Sequence, residues 1–231
     1  MLIDIDKITY DVGDKSACVA FVDKDIVIAD ILPEVNGVPI TQINQAAFCG
    51  CEQLQKVTIP NSVTKIGEFA FYGCESLESV TIPNSVTEVC DRLFSNCYSL
   101  KQINIPNSVT KISEYAFACC YSLTSITIPD TVTIIGKSAF ECCTSLEAFK
   151  IPDSVKNVRN RTFVNCFSLE TVEIHCRINK INQTAFLGCK NIKKVMFSKK
   201  LPKRKNADKI FAQMFDAGLR TREVLLRIAT L

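Results

Sequence analysis

The 231-residue chain has no tryptophan, a single histidine, only 8 glycines and no long apolar run. Histidine is the usual acid–base group near neutral pH, so one copy gives little basis for acid–base catalysis. The sequence also lacks a Gly-x-Gly-x-x-Gly motif, a P-loop and a Cys-x-x-Cys pair, which removes support for nucleotide and zinc sites. No segment reaches the roughly 18 apolar residues of a membrane-spanning helix. We therefore expect no enzyme, no cofactor and no transmembrane segment.

The single histidine, His175, directly precedes Cys176. A thiol activated by an imidazole is a common catalytic pair, but the imidazole must reach the thiol. Sequence neighbours in a strand point to opposite faces, so these two side chains are expected to diverge. We predict that His175 is a surface loop residue with no catalytic or metal-binding role.

Residues 3–6 alternate apolar and acidic side chains, and the one basic side chain among the first seven residues is Lys7. A secretory signal peptide has instead a basic start followed by a continuous apolar stretch. As written, the chain is expected in the cytoplasm. If it is a processed fragment whose signal has been removed, the expectation becomes the cell surface or secretion.

Cysteine is abundant, and its spacing is the strongest feature of the sequence. The count of 13 is odd, so a framework of disulfides is less natural than a set of reduced thiols. Seven recur at intervals of 23 residues: Cys51, Cys74, Cys97, Cys120, Cys143, Cys166 and Cys189. A phenylalanine lies three residues before each one, and a leucine or isoleucine lies three residues after it. One period therefore governs most of the chain.

Fixed apolar positions at such a period predict a solenoid, in which each repeat buries its apolar face only against its neighbours. Residues 77–83 alternate as a strand does and end at a proline, which cannot donate to a strand ladder. The same segment returns at 100–106 and 123–129. A second short apolar segment follows each strand, and a turn then leads to the next cysteine. Stacked turns of such a solenoid place equivalent residues about 4.8 Å apart.

The repeated units, such as Ile82-Pro83-Asn84-Ser85-Val86-Thr87, resemble the BspA-type leucine-rich repeat, which reads IP-x-x-VT-x-IG-x-x-AF-x-x-C-x-x-L. The resemblance extends over residues 38–198 in about seven units. It implies a repeat solenoid, a right-handed leucine-rich repeat horseshoe with a parallel sheet on its concave side. It also implies a binding module used for adhesion and protein recognition, often on host-associated microbes. His175 and Ser198 replace the proline of the pattern, so the repeat decays toward the C-terminus.

The N-terminal residues 1–37 depart from the repeat. Two alternating segments flank Gly13, which predicts a β-hairpin over residues 8–21, and residues 25–32 are a third strand candidate. We expect this block to be an N-terminal β cap that covers the open apolar end of the first repeat.

The C-terminal residues 199–231 differ in charge. They hold nine of the 27 Lys and Arg residues but only three of the 24 Asp and Glu residues, a net charge of +6, so the preceding residues carry −3. The basic cluster at 199–205 has no interleaved aromatic residues, which disfavours nucleic acid as a partner and favours a solvated linker. Beyond it, apolar residues at helical spacing predict a C-terminal helical cap, with a docking helix for a partner or membrane surface as the alternative. These residues are Ile210, Phe211, Met214 and Phe215.

The repeated cysteines are expected to form a reduced, buried ladder, since a free thiol behaves as a small hydrophobe. Glycine or asparagine precedes five of the seven, which predicts a left-handed backbone at that turn. The other two preceding residues are Cys119 and Cys142, which we expect to lie outside the core as exposed or half-buried thiols. A cross-repeat disulfide between them under oxidation is the alternative, because about 5 Å lies within the ~4.4–6.8 Å range for bridged α-carbons.

The candidate partner-binding site is the exposed side of the repeated strands. In each strand, the residues on either side of the central apolar residue face outward, by the period of two. They are Lys56, Thr58, Ser79, Thr81, Gln102, Asn104, Ser125, Thr127, Ala148, Lys150, Thr171, Glu173 and Lys194. The set is small and polar in the middle and contains no aromatic residue, so hot-spot anchors would have to come from the partner.

We interpret the chain as a non-enzymatic protein–protein interaction module that binds a partner of unknown identity on this concave face. A surface adhesin of a host-associated microbe is one alternative, which follows from the resemblance. A self-associating structural scaffold, an oligomer joined through its end caps or open edges, is the other.

Overall fold

The computed structural model describes residues 1–174, 178–197 and 212. His175, Cys176 and the predicted C-terminal helical cap, Ala212 apart, lie outside these residues. Within them the chain is a β-solenoid of about eight turns with a curled sheet, so the predicted repeat solenoid is confirmed. The division into a cap, repeats and a tail at residues 37/38 and 198/199 stays a prediction.

Six strands precede the first repeated cysteine: β1 Leu2–Ile5, β2 Ile8–Val12, β3 Ala17–Val22, β4 Ile28–Asp30, β5 Glu34–Val35 and β6 Val38–Ile43. Strands β1, β2 and β3 pair antiparallel in sequence order, which places a hairpin where Gly13 predicts one. Strand β3 then pairs in parallel with β6, and β5 pairs antiparallel with β6. The N-terminal block thus changes from antiparallel to parallel pairing just before the repeats begin.

Each repeat adds a strand before its proline and, in most turns, a two-residue strand after it. The strands are β7 Lys56–Thr58, β8 Lys65–Ile66, β9 Ser79–Thr81, β10 Glu88–Val89, β11 Gln102–Asn104, β12 Lys111–Ile112, β13 Ile134–Ile135, β14 Ala148–Lys150, β15 Asn157–Val158, β16 Thr171–Ile174, β17 Lys180–Ile181 and β18 Lys194–Phe197. We call β4, β7, β9, β11, β14, β16 and β18 the front strands. We call β8, β10, β12, β13, β15 and β17 the side strands.

Both sets pair in parallel with the equivalent strand of the next turn. The front strands form the ladders β4–β7–β9–β11 and β14–β16–β18. The side strands form β10–β12–β13 and β15–β17, while β8 pairs with β6. Strand β4 pairs with β7 and β6 pairs with β8, so strands that precede the first repeated cysteine begin the first front ladder and pair with the first side strand.

The front ladder is interrupted at residues 125–127, where the sequence predicts another strand. Only an isolated bridge joins Asn104 to Thr127 there. The next turn carries Phe149 at the buried position that valine or isoleucine occupies in the other turns. Its ring packs tilted against Phe140 and edge-on against Phe163, at centroid distances of 4.9 and 4.6 Å. The break in the front ladder thus lies next to the turn that carries the larger core residue.

A column of phenylalanine rings runs through the core. The rings of Phe48, Phe71, Phe94, Phe117, Phe140, Phe163 and Phe186 are all buried. Neighbours stack at centroid distances from 4.8 Å for Phe48 and Phe71 to 5.7 Å for Phe140 and Phe163. Such aromatic pairs contribute about 0.5–1.5 kcal/mol each beyond the area that they bury. The column therefore ties every turn to the next.

The repeated cysteines bridge neighbouring turns through their thiols. Cys97 Sγ donates to the carbonyl of Phe71 at 3.2 Å, and Cys120 Sγ donates to that of Phe94 at the same distance. The Phe94 carbonyl also accepts the backbone N–H of Cys97 within its own turn, at 3.2 Å. One buried carbonyl thus receives two donors from two turns, which its two lone pairs permit. The same thiol bond recurs from Cys74 to Cys189, so the predicted buried ladder also has a hydrogen-bonding role.

Hydroxyl groups form a third set of bonds between turns. Ser108 Oγ donates to the carbonyl of Val86 at 2.6 Å, and Thr131 Oγ1 donates to that of Val109 at 2.8 Å. These residues follow the proline of each repeat, where the backbone leaves the front strand. The bonds satisfy carbonyls that the short strands leave unpaired.

Replacing Cys120 with alanine removes one thiol bond and leaves a small void beside Phe94. We expect the free energy of unfolding to fall by roughly 1–2 kcal/mol. The loss combines the buried packing of the sulfur atom with its weak hydrogen bond. The matched control is Cys90→Ala, which removes a half-buried thiol that lies outside the ladder. Urea unfolding followed by circular dichroism measures both variants, and equal losses would contradict a special role for the ladder thiols.

Candidate functional site

The residues predicted to face outward on the front strands do so. Those from Lys56 to Lys150 are exposed, and the last three, Thr171, Glu173 and Lys194, are half-buried. The parallel register aligns them from turn to turn, so that Ser79 lies beside Gln102 and Thr81 beside Asn104. We call this surface the front face.

Strand β4 extends the front face by one turn that the repeat pattern does not predict. Ile28 lies beside Lys56 and Asp30 beside Thr58, and the side chain of Ile28 is 58% exposed. These residues precede the first repeat, so the 23-residue period could not place them. The only available signal was the strand candidate at 25–32. The face therefore begins with an apolar and an acidic side chain.

The middle of the front face holds a shallow cavity of about 320 Å³. Its polar lining is hydroxyl and amide: Ser79, Thr81, Gln102, Asn104 and Thr127. None of these side chains titrates near neutral pH, so the cavity can exchange hydrogen bonds but offers no acid, base or nucleophile of shifted pKa. The arrangement suits recognition of a polar surface.

Across residues 1–174, 178–197 and 212, no three or more His, Cys, Asp or Glu side chains come together in a way that could hold a metal ion. The same residues contain no helix of a length and apolarity that could cross a membrane.

The side strands carry an ion pair between turns. Lys111 Nζ lies 2.7 Å from Glu88 Oε1, and Ser113 Oγ donates to the same oxygen at 2.6 Å. Burial raises the pKa of Glu88, but the hydrogen bonds from Lys111 and Ser113 outweigh it and lower the pKa below its usual value. This ion pair therefore joins side strands β10 and β12 in addition to their backbone bonds.

Aromatic side chains gather at the turns, which the sequence analysis did not single out. The ring of Tyr98 stacks on that of Tyr121 at a centroid distance of 4.9 Å. At a second turn position, the guanidinium of Arg92 lies 5.4 Å from the Phe69 ring centroid and 4.5 Å from that of Tyr115. The absence of aromatic residues is thus a property of the front face and not of the whole surface.

The thiols of Cys119 and Cys142 are free and half-buried, as expected for that turn. Both residues have a left-handed backbone, with φ of 61° and 59°, like Gly50, Gly73 and Asn96 at the equivalent position. Burial raises the pKa of Cys119, so its thiol is a weaker nucleophile than an exposed one.

Comparison with known proteins identifies the family. The BspA type leucine rich repeat region matches residues 37–129 and 110–216, with six copies. The chain therefore belongs to the BspA-type leucine-rich repeat family, as its repeat pattern indicated. No curated protein matches the chain.

Two solved structures share the fold. A leucine-rich repeat protein from Bacteroides ovatus is 27% identical, with a TM-score of 0.72 over 86% of this chain and 66% of that one. The T. pallidum leucine rich repeat protein is 25% identical, with a TM-score of 0.68 over 96% of this chain and 98% of that one. The chain thus spans just under two thirds of the Bacteroides protein.

Alkylation of the folded protein under reducing conditions distinguishes the two sets of thiols. We expect iodoacetamide to modify Cys119 and Cys142, which solvent reaches, and to leave Cys97 and Cys120 unmodified. Burial removes access to the last two and raises their pKa well above its usual value, so little thiolate forms. Peptide mass mapping, with urea-unfolded protein as the control, reads the result.

Protection of Cys119 and Cys142 equal to that of the ladder thiols would contradict their exposure. The same map prepared without reductant tests the cross-repeat disulfide, because a linked pair of peptides appears only if that bond forms.

Proposed function

We propose that the protein is a non-enzymatic binding module that recognises a protein partner through its front face. Leucine-rich repeat proteins are generally interaction or surface modules, and the chain belongs to that class. The single observation that carries the proposal is a contrast along the repeats: the buried residues are alike from turn to turn, whereas the exposed residues of the front strands differ. Ser79, Gln102 and Ala148 occupy the same outward position in three turns that share one interior.

The chemistry of the front face favours a polar partner. Its centre presents neutral donors and acceptors, while Lys56 and Lys150 add positive charge on either side. With no aromatic anchor of its own, the face would rely on anchors that the partner supplies. An adhesin that binds a host protein would use the same surface.

Charged replacements on the front face test this proposal. We expect the triple variant Gln102→Arg, Ser125→Arg, Lys150→Glu to lose the partner. Two bulky cations replace neutral side chains and one charge is reversed, so the front face no longer matches the shape and charge of the partner's surface. The measurement is affinity capture with the full-length protein from an extract of the source organism, quantified by mass spectrometry.

The matched control is Asn84→Arg, Asn107→Arg, Lys180→Glu, which makes the same charge changes at exposed positions outside the front face. Partners captured by the native protein and by the control, but not by the triple variant, support the front face. If the triple variant captures the same partners as the native protein, the binding site lies elsewhere.

A further inference from the structure

A column of side chains, one per turn, runs along the solenoid at the residue after each repeated cysteine. We call it the turn column: Glu52, Glu75, Tyr98, Tyr121, Thr144, Phe167 and Lys190. Backbone bonds hold its members in register. The N–H of Ser99 donates to the Glu75 carbonyl at 3.0 Å, and that of Ser122 donates to the Tyr98 carbonyl at 3.1 Å. Side chains of adjacent turns therefore lie next to one another.

The tyrosines of the turn column stack on each other near the surface. Their rings are 9° from parallel, and Tyr121 is 42% exposed. Each ring uses one face in this stack. Tyr121 belongs to the following turn, so the second face of Tyr98 lies on the side of the preceding turn, which carries Glu75. The face of an aromatic ring is its negative pole and attracts cations.

The two members that precede the tyrosines are carboxylates without a cation. Neither Glu52 nor Glu75 forms an ion pair within residues 1–174, 178–197 and 212, whereas Glu78 in the same repeat pairs with Lys101 at 3.0 Å. Burial raises the pKa of the Tyr98 phenol, and the nearby negative charges of Glu75 and Glu52 raise it further. The two acids and the ring face together form a site of negative potential.

The protein itself shows that a guanidinium fits between its turns. Arg92 lies between the rings of Phe69 and Tyr115, one turn to each side, at 5.4 and 4.5 Å from their centroids. The spacing of the turns therefore matches the thickness of a planar cation stacked on rings. In the turn column the rings and acids are present, but no arginine of the described chain occupies the position.

We propose that Glu52, Glu75 and Tyr98 form a second binding site, separate from the front face, for an arginine-containing segment of a partner protein. One guanidinium stacks on the outer face of Tyr98 and pairs with Glu75. Glu52 receives a second basic residue of the same segment. Arginine fits better than lysine, because its planar group stacks on a ring and pairs with a carboxylate at once.

A synthetic hexa-arginine peptide tests the site by isothermal titration calorimetry at low salt. We expect Glu75→Gln and Tyr98→Leu each to weaken binding roughly threefold to thirtyfold, the range of one cation–ring or ion-pair contact in a partly buried site. Tyr98→Phe keeps the ring face and is expected to bind like the native protein. Hexalysine is expected to bind more weakly than hexa-arginine.

The matched control for charge is Glu147→Gln, which removes an exposed carboxylate from a turn without tyrosines and is expected to leave binding unchanged. The proposal is overturned if Glu147→Gln weakens binding as much as Glu75→Gln, if Tyr98→Leu binds like the native protein, or if hexalysine binds as tightly as hexa-arginine. The front-face triple variant is expected to bind the peptide like the native protein, because none of its changes lies in the turn column. The proposal for the front face and the proposal for the turn column are therefore tested separately.

Discussion

The interaction on which the structure depends is the buried bond between a cysteine thiol and the phenylalanine carbonyl of the preceding turn. A thiol is a weak donor, so a single such bond contributes little by itself. Here it recurs in six successive turns from Cys74 to Cys189, beside a continuous stack of phenylalanine rings. Cysteine suits the position because it fills an apolar space and still supplies a hydrogen for the carbonyl. Its abundance reflects this geometry and does not indicate a disulfide or metal protein.

Once the interior is fixed in this way, the exposed positions are free to differ. The front face and the turn column are built on the same turns and hold their residues in the same register. They differ in the side chains that point outward, which are mostly polar on the front strands and include carboxylates and aromatic rings at the turns. A solenoid can therefore carry two recognition surfaces of different chemistry on one frame.

The sequence predicted the interior well because buried positions repeat. The spacing of the cysteines, phenylalanines and leucines located the core, and the glycines and asparagines before the cysteines located one left-handed turn. A second left-handed column, which includes Phe69, Arg92 and Tyr115, was not predicted. Its backbone N–H groups bond to the next turn, as from Arg92 to the Glu114 carbonyl at 2.9 Å, and these residue types give no signal of that conformation.

Two other features escaped prediction because they depend on single positions and not on the period. The front ladder is interrupted beside one large residue, Phe149, in a place where the repeat accepts any apolar side chain. The Tyr98–Tyr121 stack follows from two residues at a variable turn position. A third feature, the pairing of strand β4 with the other front strands, was not predicted because β4 lies outside the repeat. The positions of repeated residues can be predicted from their spacing. The effects of residues that differ between repeats depend on contacts that only the structure shows.

Infrared absorption of the S–H stretch tests the central claim most directly, since it reports the thiol bonds themselves and few other protein groups absorb in that region. The account predicts a component shifted to lower frequency in the folded, reduced protein, with an intensity that corresponds to the six ladder bonds. This component should disappear on unfolding and lose one sixth of its intensity in Cys120→Ala. An S–H band at the frequency of free thiols alone, unchanged on unfolding, would contradict the account.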